Sequence, residues 1–265
     1  ALDGRGALLA GAVGAGRRAV TGSVPAGAVV PGVTGRHVLV TGAAGGIGSA
    51  VVAALTVSGA RVSAWDQAAS GSVRAVDVRD PGGVREAWRA TESADGPIEL
   101  LVHAAGVMSD DWDLCMAVNA GGVRNTLDVA TEAMIAHSVA GSIVVLSSNA
   151  APIPRTAMAE YAASKAAATS YARSVGLAVA GHGIRVNVVS PGSTMTPMLT
   201  GMWTSDADRE RVLAGTPDQF RIGIPLGRIA EPGDIASTIV FLLSDAARHI
   251  TIHDLRVDGG ATLDM

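Results

Sequence analysis

Short apolar runs recur along the chain, separated by longer stretches whose apolar residues return at helical spacing. His37–Thr41, Ala60–Trp65, Val73–Val78, Ile98–Gly106 with its turn, Gly141–Ser147, Ile184–Val189 and Leu255–Asp258 predict strands. Helices are predicted for Ser49–Val57, from Asp80-Pro-Gly through Val84 and Trp88, from Met116 through Leu127 and Val129, and for Glu160–Val179. A further helix opens at Glu231-Pro-Gly-Asp234 and turns Ile235, Ile239, Leu242 and Leu243 to the core. Strands apolar throughout that alternate with helices imply an α/β fold, a doubly wound parallel sheet covered on both faces, in a single domain over residues 36–265. Ligands of such sheets bind beyond the carboxyl ends of the strands, and those ends carry Gly42, Asp66, Asp77, His103 and Ser148.

Composition removes several function classes. Hydrophobic residues make up 48% and charged residues 17% of 265 positions, enough for a sizeable core and too apolar for disorder over the whole length. The formal net charge is −4 and the arginines are scattered, so nucleic acid is not expected as a main partner. Aromatic residues, at 3%, are too few for a base-stacking platform. Cys115 is the only cysteine, which leaves no intrachain disulfide and no cysteine-based zinc site; no metal is expected, and Cys115 reads as a small buried side chain. No run reaches the roughly 18 apolar residues a bilayer crossing needs, so a soluble, cytoplasmic protein without membrane contact is expected. Residues 1–35 are Ala, Gly, Val and Arg with almost no acid and no sustained period, and read as a low-complexity, disordered extension or an over-long translation start. The apolar stretch Gly6–Gly16 precedes Arg17-Arg18, the wrong order for a twin-arginine export signal.

Three patterns carry chemistry. Gly42-Ala-Ala-Gly45-Gly46-Ile47-Gly48 joins the first strand to the first helix in the manner of a Rossmann-like phosphate turn, where glycines admit a pyrophosphate and a helix N-terminus faces it. Asp66 closes the second strand about twenty residues beyond, where a carboxylate accepts both adenosine ribose hydroxyls and repels a 2′-phosphate, favouring NAD over NADP. Tyr161 and Lys165 stand four residues apart on one helix face, an arrangement in which an ammonium lowers the phenol's pKa, and Ser148 lies just upstream. Arg155, between Ser148 and Tyr161 in the chain, is a candidate to grip a carboxylate bidentately.

Together these motifs resemble the short-chain dehydrogenase/reductases over residues 36–265. The likeness is carried by Thr41–Gly48, Asp77-Val78, Asn119, Ser148, Tyr161-Ala-Ala-Ser-Lys165, Asn187–Gly192 with Thr196, and Val257–Gly260. It implies catalytic roles for four residues. Ser148 would hold the substrate oxygen, Tyr161 exchange the proton, Lys165 lower the Tyr161 pKa and bond the nicotinamide ribose, and Asn119 hold a water in a proton path. It implies NAD contacts at Gly42, Gly45, Gly46, Ile47, Gly48, Asp66, Gln67, Asp77, Val78, Ala104, Gly106, Tyr161, Lys165, Pro191, Gly192 and Thr196. A homotetramer pairing long helices such as the one bearing Tyr161 is implied as well.

Within the family the likeness is closest to the 2,3-dihydro-2,3-dihydroxybenzoate dehydrogenases of catecholate siderophore pathways. Trp65-Asp-Gln67, Ala150–Arg155 with Met158, Val189–Thr194, Trp203–Asp206, Gln219–Gly227 and His249–Asp254 carry it. The resemblance implies NAD-dependent oxidation of a ring hydroxyl of a small cyclohexadiene carboxylate, with Ser148, Arg155 and Met158 touching the substrate. A dihydro-3-hydroxyanthranilate, another ketone of the same family, and a non-catalytic NAD-binding sensor stand as alternatives. Two departures mark this chain. His103 replaces the asparagine usual before Ala-Ala-Gly, read as structural and able to make the same hydrogen bond, and the segment Gly106–Asn119 is shorter than usual. Residues 195–222, with Met195, Met198, Met202 and Trp203, are the one long polar insertion and read as a lid.

Overall fold

The computed structural model of the chain describes residues 29–263. Its strands are β1 (His37–Thr41), β2 (Arg61–Asp66), β3 (Val73–Ala75), β4 (Leu100–His103), β5 (Ser142–Leu146), β6 (Arg185–Pro191), the two-residue β7 (Gly215–Thr216) and β8 (Arg221–Ile222), and β9 (Asp254–Val257). Seven of them form a parallel sheet in the order β3-β2-β1-β4-β5-β6-β9, while β7 and β8 pair antiparallel on their own. The order reverses between β1 and β4, and the crevice beyond their carboxyl ends is where such sheets hold ligands.

The helices are α1 (Gly46–Val57), α2 (Pro81–Asp95), α3 (Trp112–Cys115), α4 (Gly122–Ala136), α5 (Ala159–Val179), α6 (Pro197–Thr200), α7 (Ala207–Ala214) and α8 (Pro232–Leu243). Because side chains alternate along a strand, each central strand feeds two cores. Val38, Val40, Leu100 and Val102 pack against Val51 and Leu55 of α1 and Ile235 and Ile239 of α8. Leu39, Leu101, Ile143 and Val145 pack against α2, α4 and α5 through Trp88, Leu127, Ala168 and Ala172. This is why the strands read as apolar throughout.

Several boundaries shift from the sequence expectation. β3 stops at Ala75, and Asp77 falls in the turn that follows, where its carbonyl accepts from Asp80 N. Asp80 then caps α2 by accepting from Gly82 N at 2.9 Å. The helix expected from Met116 opens as a π-helical turn, Met116–Gly121, before α4 begins. Val33 is fully buried in the core beside α1 and α8, and the Thr34 hydroxyl donates to Ser58 O, so the packed domain starts ahead of residue 36. Residues 1–28 of the expected extension lie outside the described residues.

Candidate active site

A cavity of about 1330 Å³ opens over the carboxyl ends of the strands. Its phosphate-turn wall is shaped by absent side chains. Gly42 has φ +66°, and a Cβ there would lie 2.5 Å from Ala105 N; a Cβ on Gly48 would run into Gly42 O. No side chain caps the N-terminus of α1 and no acid stands in its first turn, so its N–H groups are free to meet an anion. Asp66 Oδ2 accepts from Ala44 N at 2.9 Å and Oδ1 from Gln67 N at 2.7 Å, which fixes the carboxylate at the cavity edge. Asp77 is paired with Arg79 at 2.6 Å, and that hydrogen-bonded guanidinium holds its carboxyl below the usual range. At the inner end, a Cβ on Gly106 would come within 3.1 Å of both Lys165 Nζ and Asn119 Oδ1. A glycine-lined wall, an uncapped helix start and a fixed carboxylate about one ribose away suit a dinucleotide.

The Tyr161 helix supplies the opposite wall. Met158, with φ +67°, turns the chain into α5 without a side-chain cap. From there Tyr161, Ser164, Lys165, Ala168 and Ala172 form the buried stripe. Ser147 ties this helix to the end of β5, its hydroxyl bonding Thr169 Oγ1 at 2.6 Å and donating to Lys165 O at 3.2 Å. Ser148, Tyr161 and Lys165 all line the cavity. Lys165 Nζ donates to Leu146 O at 2.9 Å and lies 5.9 Å from the centre of the Tyr161 ring.

Burial shapes the electrostatics of this pair. Burial pushes the Tyr161 phenol up, and the Ser148 hydroxyl partly offsets this. Burial instead brings Lys165 down to about 8. Spacing alone gave the right neighbours, but desolvation acts on both groups and favours the neutral form of each. The phenol is therefore a proton donor at rest.

Every predicted cofactor contact lines the cavity, as do Ser148, Arg155 and Met158; Asn119 and His103 do not. Asn119 is fully buried on the π turn, where Oδ1 accepts from Val107 N and Nδ2 donates to Val107 O and Ser164 Oγ, each at 2.9 Å. Its amide thus holds the inner wall to α5 rather than facing the cavity. His103 is fully buried, neither ring nitrogen has a hydrogen-bond partner, and burial drives its pKa down to about 3. The Ala105 backbone beside the ring raises it back in part.

At the far end, Arg155 Nη2 donates to Asn149 Oδ1 at 3.2 Å, and Asn149 Nδ2 donates to Asp258 Oδ2 and Thr262 Oγ1. The insertion over residues 195–222 contributes Met198, Met202, Trp203 and Arg221 to the wall; Met195 instead donates its N–H to Ala230 O. Sequence reasoning missed Met108, Leu114 and Val118, which line the cavity, and the Ser147 tether. Apolar wall residues carry no motif, and a serine signals a tether only once its neighbours are known. Among the described residues no cluster of three or more His, Cys, Asp or Glu is placed to hold a metal, and no helix is long and apolar enough to cross a membrane.

Comparison with known proteins adds a consistent set of relatives. Residues 42–262 match a family described as enoyl-(acyl carrier protein) reductase. A 2,3-dihydro-2,3-dihydroxybenzoate dehydrogenase of Escherichia coli is 43% identical over 244 residues, covering 87% of this chain and 98% of the relative. One of Bacillus subtilis is 40% identical over 256 residues, covering 88% and 98%. Among solved structures, the Thermoplasma acidophilum aldohexose dehydrogenase superposes with a TM-score of 0.78 at 27% identity, covering 89% of this chain and 97% of that one.

Proposed function

Since the chain belongs to the short-chain dehydrogenase/reductase family, whose dehydrogenases use nicotinamide cofactors, we propose that it oxidises a ring hydroxyl of a 2,3-dihydro-2,3-dihydroxybenzoate-like acid with NAD. The observation that carries this reading is the meeting of Ser148, Tyr161 and Lys165 on one wall of a cavity whose other end suits a dinucleotide. The substrate class is supported by relatives of that name at 40% and 43% identity over nearly their whole length.

NAD, held along the glycine turn and at Asp66, would supply the hydride acceptor. The chain handles the proton and the geometry. Ser148 holds the substrate oxygen, and the phenolate form of Tyr161 takes the hydroxyl proton as the C–O bond becomes C=O. Lys165 faces the phenol from within the wall, so phenolate beside ammonium is a coupled state in which each charge stabilises the other. The ketone formed then tautomerises to an aromatic ring, which makes the oxidation effectively one-way. Asp66 supports NAD over NADP by placing a carboxylate where a 2′-phosphate would sit.

Arg155 belongs to the same reading as a grip on the substrate carboxylate, with Met158 beside the ring. Asn119 acts as a positioning residue. The proposal includes a cytoplasmic homotetramer, which sedimentation of the purified chain checks, and one catalytic domain following a low-complexity extension.

The test is growth of NADH absorbance with the dihydrodiol acid and, in parallel, with the dihydro-3-hydroxyanthranilate. Tyr161→Phe is expected to lower kcat by about 10²–10⁴-fold while NADH still binds. NADH binding by the wild type without turnover of any such acid would overturn the enzyme reading in favour of a sensor.

A further inference from the structure

We infer that Arg221, on the β7–β8 hairpin, forms with Arg155 a two-guanidinium subsite that holds the substrate's carboxylate and selects acids over neutral diols. This rests on the function proposed above and adds a specificity-determining residue from the insertion.

Unanswered donors point to it. Arg155 Nε is buried without a partner, and the guanidinium's contact is with the neutral amide oxygen of Asn149. Arg221 lines the same cavity, and its side chain makes no hydrogen bond or ion pair among the described residues. Its charge is close enough to Arg155 to disfavour protonation of that side chain, after burial itself. Two guanidinium groups that line one partly desolvated pocket repel, and an anion between them relieves the repulsion.

Among the described residues, the chain's own carboxylates do not fill that place. Asp258 offsets the Arg155 charge from a distance, but its oxygens accept from Asn149 Nδ2 and Gly260 N. Asp208 is taken up by Thr204, Ser205 and Arg211. Asp218, earlier on the same hairpin, forms no ion pair with Arg221. Trp203 adds a further buried donor, its Nε1 unpartnered in the same wall. A planar carboxylate, with two oxygens able to accept from two forks, matches this set of donors.

The experiment is a calorimetric titration of the NADH-loaded protein with 2,3-dihydroxybenzoate and with catechol, which share the ring and hydroxyls and differ in the carboxylate. Wild type is expected to bind the acid more tightly than catechol. Arg221→Met is expected to lower the acid-to-catechol affinity ratio by about 10- to 100-fold, with Arg221→Lys keeping part of it. Far-ultraviolet circular dichroism confirms that each variant folds. A wild type that prefers catechol, or an Arg221→Met ratio within about twofold of wild type, overturns the inference. Failure of the dihydrodiol turnover assay with the ratio behaving as expected would instead remove the proposed reaction and leave the carboxylate subsite standing.

Discussion

The two ends of the cavity are built on opposite plans. At the cofactor end the chain answers its own polar groups: Asp66 accepts from two backbone amides, Asp77 holds Arg79, and the Asn119 amide clasps both backbone groups of Val107. At the far end, Arg155 Nε, Trp203 Nε1 and the Arg221 guanidinium have no acceptor among the described residues. The first end holds its shape by backbone contacts and is preorganised. The second is left for a ligand to complete, and its unsatisfied donors lower the stability of the free protein.

Substitutions at the two ends should therefore differ in sign as well as size. The largest effect is expected from Gly48→Val, because any Cβ there meets Gly42 O. Folding free energy should fall by about 3 kcal/mol or more and NADH binding should vanish, read by urea denaturation and fluorescence titration. Retained binding would mean the turn is less rigid than described.

Asn119→Ala should follow. It strands the Val107 amide groups and removes the contact to Ser164, at a cost of about 2–3 kcal/mol in stability, with weaker NADH binding as the inner wall loosens.

His103 is the exception at the cofactor end, a polar group with no partner. Its pKa is about 3 in the fold against 6.5 for the free side chain. Between those values the unfolded chain binds a proton that the folded chain refuses, so stability falls as pH drops below 6.5. The slope should reach at most about 1.4 kcal/mol per pH unit and should disappear in His103→Asn, measured as urea midpoints from neutral to mildly acidic pH. Parallel slopes in the two proteins would show that the histidine has a partner.

The smallest effect is the most diagnostic. Trp203→Phe removes an unanswered donor, so stability should stay within about 1 kcal/mol of wild type and not fall, while affinity for 2,3-dihydroxybenzoate declines. A clear loss of stability without loss of affinity would place Trp203 with the self-satisfied groups and erase the contrast.

The same contrast explains what was legible in the sequence. The sheet announced itself because strands covered on both faces are apolar at every position, as in the buried Leu100, Leu101 and Val102. The glycine turn and the Tyr161–Lys165 pair announced themselves because backbone approach and helical spacing leave fixed intervals. The bonds of the Asn119 amide to Val107 and Ser164 were not legible, because no spacing reveals them. The burial that raises the Tyr161 pKa was not legible, because spacing reports adjacency and not desolvation. Val33 escaped notice because a low-complexity composition hides a single core side chain. Arg221 sits on an irregular segment where no period marks which side chain points inward.

A π turn spends one more residue per revolution than an α turn, and one residue is about 100° of helix. The turn at Met116–Gly121 therefore works as a clutch between α3 and α4. Residues can be lost upstream of it without rotating Val123, Leu127 and Met134 off the sheet. Through this slip in phase, α3 beside the cavity keeps a register separate from that of the helix packed on the sheet.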